Sequence, residues 1–237
     1  MSASTFEDVT SLTFDVFGTV VDWRAGIIRD GEGMGLDLDW HAFALEWRAL
    51  YQPAMERVRS GEIGWRKLDD LHQMNLEELL ARRGITGLSE DDINYLNSVW
   101  HRLDPWPDVL AGLARLKQKY VLATLSNGNT GLLVNMAKRA GLPWDAVLGA
   151  ETAGAYKPQS QAYLRTAEML GLAPESCMMV AAHNGDLAAA AALGFKTALV
   201  LRPGEYGPGQ TTDLKPEAEW DVVAESFLDL AEQLGCP

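Results

Sequence analysis

Short apolar runs recur along the chain, each closed by a turn and followed by a segment of helical spacing. The runs fall at residues 11–15, 120–125, 146–149, 177–182 and 197–201. Each reads as a buried strand, because a strand covered on both faces has no polar side to show. Between them, apolar positions return every three to four residues, which predicts helices over 107–119, 130–141, 160–170 and 186–193, with a closing helix over 226–234. Strands alternating with helices predict a parallel sheet with right-handed crossovers and helices on both faces: an α/β, Rossmann-like core. In such sheets functional groups gather beyond the carboxyl ends of the strands, near a switch in strand order.

Residues 23–101 break this rhythm. The pattern there is helical over 40–59, 65–83 and 91–102, and no run reads as a convincing strand. Four of the eight tryptophans, Trp40, Trp47, Trp65 and Trp100, fall inside it, with Trp23 and Trp106 at its edges. The segment reads as an all-helical insertion after the first strand, a cap over the sheet's carboxyl edge. The expected division is a core of 1–21 and 103–237 and a cap of 22–102. Asp22 reads as a loop residue leading into the cap. Pro105-Trp106-Pro107 marks the return to the core, since proline resists continuing a helix and suits its first turn.

Composition narrows the partners. At 237 residues, 47% of them hydrophobic, the chain is long enough for a full core. A net charge of -13 with no basic run excludes nucleic acid and anionic membrane surfaces, which need clustered Lys and Arg. No apolar run is long enough to cross a bilayer. The first residues lack the basic and apolar regions of a signal peptide, so a cytoplasmic location is expected. The two cysteines, Cys177 and Cys236, have neither zinc-site spacing nor a disulfide framework. No internal repeat appears, and only the alanine block at 187–193 is of low complexity.

The polar residues at the strand ends are more informative. The first strand runs into Asp15 and Thr19, and the second into Ser126 and Asn127. Lys157 follows the third, and His183, Asn184 and Asp186 follow the fourth. Taken singly, each has an ordinary explanation. Asp15 could cap a turn, Ser126-Asn127-Gly128 could be a turn, Asp186 could cap the alanine-rich helix, and Lys157 could be a solvated charge. Their joint occurrence at successive strand ends favours one site. Lys157 can keep both carboxylates ionised, and an ionised Asp15 can act as a nucleophile.

In this order, DVFGTVVDWR, LSNGN, YKP and a strand-ended Gly-Asp resemble the haloacid dehalogenase superfamily. More closely they resemble its L-2-haloacid dehalogenases, over nearly the whole chain. The competing reading within the superfamily is a magnesium-dependent phosphatase, and a third is a non-catalytic relative. The phosphatases place a second Asp two positions after the nucleophile, as an acid for the leaving group; here that position is Phe17. They also carry an acidic pair in the last motif, where HNGDLAAA offers only Asp186. Magnesium wants carboxylate oxygens in an octahedral array, so no metal or other cofactor is expected. A halide leaving group needs no proton, which suits Phe17.

The resemblance implies roles. Asp15 attacks the halogen-bearing carbon of a small haloacid and forms an ester, which water then hydrolyses. Asp186 and Lys157 position or activate that water. Thr19 and Ser126 hydrogen-bond Asp15 or the substrate carboxylate. Asn127 contacts the halide, and Arg48 of the cap engages the halide or the substrate anion. Phe17, Asn184 and Trp65 complete the binding pocket, with core packing an equal alternative for Trp65. The sequence departs from the family at Ala181-Ala182-His183-Asn184, where the dehalogenases carry Ser-Ser-Asn. His183 replaces the asparagine, orients water, responds to pH near neutrality, or bonds to backbone. A homodimer is expected from the resemblance alone.

Overall fold

The structure is a computed structural model that describes residues 6–236. Its five-stranded sheet has the order β4-β1-β5-β6-β7, all parallel. The strands are β1 (Ser11–Phe14), β4 (Val121–Thr124), β5 (Cys177–Ala181), β6 (Lys196–Val200) and β7 (Val222–Ala224). Around it lie α6 (Val109–Leu116), α7 (Thr130–Ala140), the short α8 (Ala150–Ala153), α9 (Ser160–Met169), α10 (Asn184–Ala191) and α11 (Phe227–Gln233). The chain steps from β1 out to β4 on one side and returns to β5 on the other. The switch in strand order therefore lies at β1, whose carboxyl end is the expected place for a site.

Each buried strand divides its side chains between two cores, because successive residues point to opposite faces. Leu12, Phe14, Met178 and Val180 join the larger apolar cluster. Cys177, Met179 and Ala181 face the smaller one with Tyr163 and Phe195. Two details of the sheet differ from expectation. The run at 146–149 makes only isolated parallel bridges, Ala123 to Ala146 and Ser126 to Gly149, so it is no full strand. In turn, β7 was not expected: three residues with an exposed Val223 give too short an apolar run to detect.

The segment from 23 to 101 is helical: α1 (Trp23–Gly33), α2 (Trp40–Ala49), α3 (Tyr51–Arg59), α4 (Leu68–Arg82), α5 (Glu90–Asn97) and a final 3₁₀ turn, Ser98–His101. The single helix expected over 40–59 is two, meeting at Leu50. Asp22 is more than a loop residue. It caps α1, its carboxylate accepting from Ala25 N at 2.9 Å. A two-residue antiparallel pair, β2 (Val21–Asp22) with β3 (Asp104–Pro105), ties the start of the segment to its end. The Trp106 indole N–H donates to Gly18 O at 2.8 Å at the same junction.

Phe17 joins the helices to the sheet. It is buried, with its ring edge-on to Trp100 at 5.8 Å and to His72 at 6.3 Å. Trp47 also packs edge-on to Trp100, at 5.4 Å. Burial of such rings contributes on the order of 2–3 kcal/mol each, so this aromatic cluster helps hold the helices against the sheet, beside hydrogen bonds such as Asn129 to Asp69.

Candidate active site

Asp15 follows β1 directly, its backbone N–H donating to Val180 O at 3.0 Å. The chain then turns tightly through Gly18, whose φ of +87° suits glycine. The turn brings Thr19 back onto Asp15: the Thr19 hydroxyl donates to Asp15 Oδ2 at 2.7 Å and accepts from Ala182 N at 2.9 Å. Beyond α8, Lys157 projects Nζ between two carboxylates. It donates to Asp15 Oδ1 at 2.9 Å and to Asp186 Oδ2 at 2.5 Å. The Tyr163 hydroxyl, from α9, holds the other oxygen of Asp186 at 2.5 Å. Lys157 is itself fixed by its backbone, N–H to Asn127 Oδ1 at 2.8 Å and C=O from Arg59 Nη1 at 2.9 Å.

These contacts set the charges. Burial alone would push the Asp15 carboxyl up, but the Lys157 ammonium and His183 outweigh it and hold it far below the usual carboxylate range. Burial would strip Lys157 of its proton, yet the two carboxylates raise it well above its ordinary value. Asp186 goes the other way. Burial, with Asp15 as a nearby like charge, raises its carboxyl despite Lys157. One carboxylate is thus kept anionic and the other made more basic, the division that a nucleophile and a general base require.

His183 links Asp15 to a third carboxylate, Glu205. Its Nδ1 lies 3.2 Å from Asp15 Oδ2, and its Nε2 lies 3.0 Å from Glu205 Oε2. Arg48 reaches in from α2, its guanidinium carbon 4.1 Å from the Tyr51 ring centre and 5.3 Å from that of Trp23. Its buried Nη1 has no hydrogen-bond partner among the described residues. Asp15, Phe17, Arg48, Asn127, Lys157, His183 and Asp186 all line one cavity of about 760 Å³. Asn127 Oδ1 is engaged by the Lys157 backbone N–H, which leaves its amide nitrogen as the donor on the cavity side, where it meets the Tyr51 hydroxyl.

Three residues expected at the site are placed elsewhere. The Ser126 hydroxyl accepts from Gly128 N at 3.1 Å, shaping the turn without reaching Asp15. Asn184 faces away from the cavity. Its amide nitrogen donates to Asp213 and its oxygen accepts from Glu217 N and the Trp220 indole, so it pins the loop before β7. Trp65 stacks on Tyr156 at 5.0 Å and is 40% exposed, outside the cavity lining. Conversely, sequence reading missed Glu205, Tyr163 and Tyr51. Glu205 stands in RPGEYGPG beyond β6, where the strand-end rule could have found it. Tyr163 and Tyr51 carry no such signal, since each reads as a core aromatic on a helix.

No trio of His, Cys, Asp or Glu among the described residues is arranged to hold a metal ion. The superfamily's magnesium site does not fit here. Phe17 occupies the position of its second carboxylate, and the Lys157 ammonium lies between Asp15 and Asp186.

An aspartate ending the first strand at the switch of a parallel sheet, with a lysine and a second aspartate from later strand ends, defines a hydrolase class. The chain belongs to the haloacid dehalogenase-like hydrolases, whose family pattern matches residues 9–194. Its relatives narrow this to the L-2-haloacid dehalogenases. The L-2-haloacid dehalogenase PA0810 superposes with a TM-score of 0.93 at 48% identity, covering 96% of this chain and 99% of that one. The defluorinating L-2-haloacid dehalogenase Rha0230 gives 0.94 at 48% identity, with 96% of each chain covered. The (S)-2-haloacid dehalogenase 4A of Burkholderia cepacia is 25% identical over 95% of this chain and 99% of its own.

Proposed function

We propose that this chain is a hydrolytic dehalogenase of short 2-haloalkanoic acids, using Asp15 as the nucleophile and no metal. The observation that carries the reading is the Asp15–Lys157–Asp186 bridge with Phe17 beside it. The carboxylate attacks the carbon that bears the halogen. The C–O bond forms as the C–halogen bond breaks, with inversion, and halide departs with the bonding pair. Arg48 meets the substrate's anionic charge, and the Asn127 amide receives the halide. Asp186, made more basic by its surroundings, takes a proton from the water that hydrolyses the ester and yields a 2-hydroxy acid. Halide needs no proton to leave, so a phenylalanine serves where a phosphatase requires an acid.

The helical segment 22–102 is the proposed cap, contributing Arg48 and Tyr51 to the cavity. The proposed setting is a cytoplasmic homodimer, by resemblance to the family; no helix among the described residues is long and apolar enough to cross a membrane.

The test is halide release from haloacetates and 2-halopropionates with and without EDTA. Fluoroacetate belongs in the panel, because Rha0230 is described as defluorinating. Release unaffected by EDTA is expected, as is a loss on the order of a thousandfold or more in Asp15→Asn. Phosphatase activity that a chelator abolishes, or an active Asp15→Asn, would overturn the reading.

A further inference from the structure

The reaction so described leaves one buried carboxylate without a task. Glu205 is 1% exposed, accepts from the Trp23 indole at 2.9 Å, and sits 3.0 Å from His183 Nε2. With Asp15 on its other nitrogen, His183 has a carboxylate at each end of the ring. Only the imidazolium, a donor at both nitrogens, satisfies both. The electrostatics agree: burial would deprotonate His183, but Glu205 and Asp15 raise it well above the ordinary histidine value.

The two oxygens of Asp15 are not equivalent. Among the described residues, Oδ1 accepts from Lys157 alone, while Oδ2 accepts from both Thr19 and His183. A cationic donor on Asp15 does not help the alkylation step, since the carboxylate loses negative charge as it attacks. It helps where charge builds up, which is the hydrolysis of the ester.

We propose that Glu205 is a positioning residue for ester hydrolysis: it holds His183 as an oriented imidazolium that, with Thr19, stabilises the oxyanion formed on Asp15 Oδ2. The inference rests on the dehalogenase reading above. The alkyl group is carried on Oδ1. Water bonds to Cγ, its proton passes to Asp186, and the carbonyl pair moves onto Oδ2. The intermediate collapses with cleavage of the Cγ–Oδ1 bond. The departing 2-hydroxy acid takes the proton back from Asp186, and Asp15 loses its own to solvent.

The experiment is a rapid-quench reaction with 2-chloropropionate on the wild type, His183→Asn and Glu205→Gln, following chloride and the intact protein mass. In both variants a burst of about one chloride per site is expected, matched by a carboxyethyl adduct on the enzyme that persists because its hydrolysis is slowed. Turnover should fall about 100-fold in His183→Asn and about tenfold in Glu205→Gln. The wild-type hydrolysis step should fall as pH rises through the His183 value, and Glu205→Gln should move that fall to lower pH. Other charged groups face the pair, with Lys157 and Asp186 beside Asp15, and Arg48, Arg202 and Asp22 near Glu205. None of these is changed in Glu205→Gln, so a displaced pH limb reports the Glu205 charge. A residue that merely tied its loop to Trp23 would move neither the adduct nor the pH limb. Burst and turnover that fall together without an adduct, or an unmoved pH limb in Glu205→Gln, would overturn the proposal. If His183→Asn does not fold, the pH limb of the near-isosteric Glu205→Gln decides. Failure of the wild type to release halide would instead sink the dehalogenase reading itself.

Discussion

Replacing Lys157 by methionine tests the charge arrangement most directly. The side chain keeps its length and apolar stem but loses the ammonium that touches Asp15 at 2.9 Å and Asp186 at 2.5 Å. The two carboxylates then face each other, no farther apart than those two contacts laid end to end. At an effective dielectric of about 20, unit charges about 5 Å apart repel by roughly 3 kcal/mol. Breaking a buried pair costs about 3–5 kcal/mol, part of which the site recovers by binding a proton. The pH dependence has a definite sign. In the wild type the depressed Asp15 carboxyl contributes stability above the unfolded carboxylate value, lost only as pH falls far below it. In Lys157→Met the carboxylate pair would instead titrate above the unfolded value. It then favours the fold at low pH, and that contribution fades as pH rises through the raised value. The expected result is a loss of about 3–5 kcal/mol at pH near 7.5 relative to wild type, shrinking by about 1–2 kcal/mol near pH 5.5. Urea unfolding at the two pH values measures it, and taking the difference between the proteins sets aside the titration common to both. Halide release should fall by a factor on the order of a thousand, since a protonated Asp15 is no nucleophile. A variant as stable as wild type at both pH values, or one turning over within tenfold of it, would refute the reasoning.

Two further outcomes follow from the same geometry. A Cβ on Gly18 would lie 2.1 Å from Glu205 Oε1, at a φ of +87°; Gly18→Ala should therefore lower stability by about 2–4 kcal/mol, and an unchanged thermal midpoint would argue against the packing described. Arg48→Lys keeps the charge but not the planar group stacked on Tyr51, so KM for a haloacid should rise about tenfold or more with a smaller change in kcat, whereas an unaltered KM would remove Arg48 from substrate binding.

The parallel core was legible because its strands are buried on both faces and read as unbroken apolar runs. Asp15 and His183 were legible because they stand where two of those runs stop, Asp186 because it opens the helix that follows, and Lys157 by its place in the loop beyond the 146–149 run. What stayed hidden lacked this contrast. The strand β7 has three residues, one of them exposed, and Tyr163 looks like any aromatic on a helix face. Ser126 and Asn184 were drawn to the site by proximity in sequence. Each is a short polar side chain that turned instead to backbone or loop, Ser126 to Gly128 N and Asn184 to Asp213, Glu217 and Trp220. Sequence position locates a strand end but not the direction in which its side chain points.

The charge of the assembled site bears on why the proposed reaction runs forward. Asp15, Glu205 and Asp186, counted as ionised beside Lys157, carry three negative charges, and Lys157, His183 and Arg48 carry three positive ones; Arg59 and Asp213, which also line the cavity, offset each other. The empty site is thus balanced, and a haloacid carboxylate leaves it with one excess negative charge. Alkylation moves that charge from Asp15 to the halide, so departure of the halide returns the buried site to neutrality. Retaining an unpaired anion in such a cavity is costly, which favours halide loss after the bond has formed. Hydrolysis then restores the Asp15 carboxylate while product still carries its own, and the excess negative charge returns. The product 2-hydroxy acid is expelled by the same imbalance that expelled the halide. One set of three cations thus accommodates both half-reactions without a metal ion.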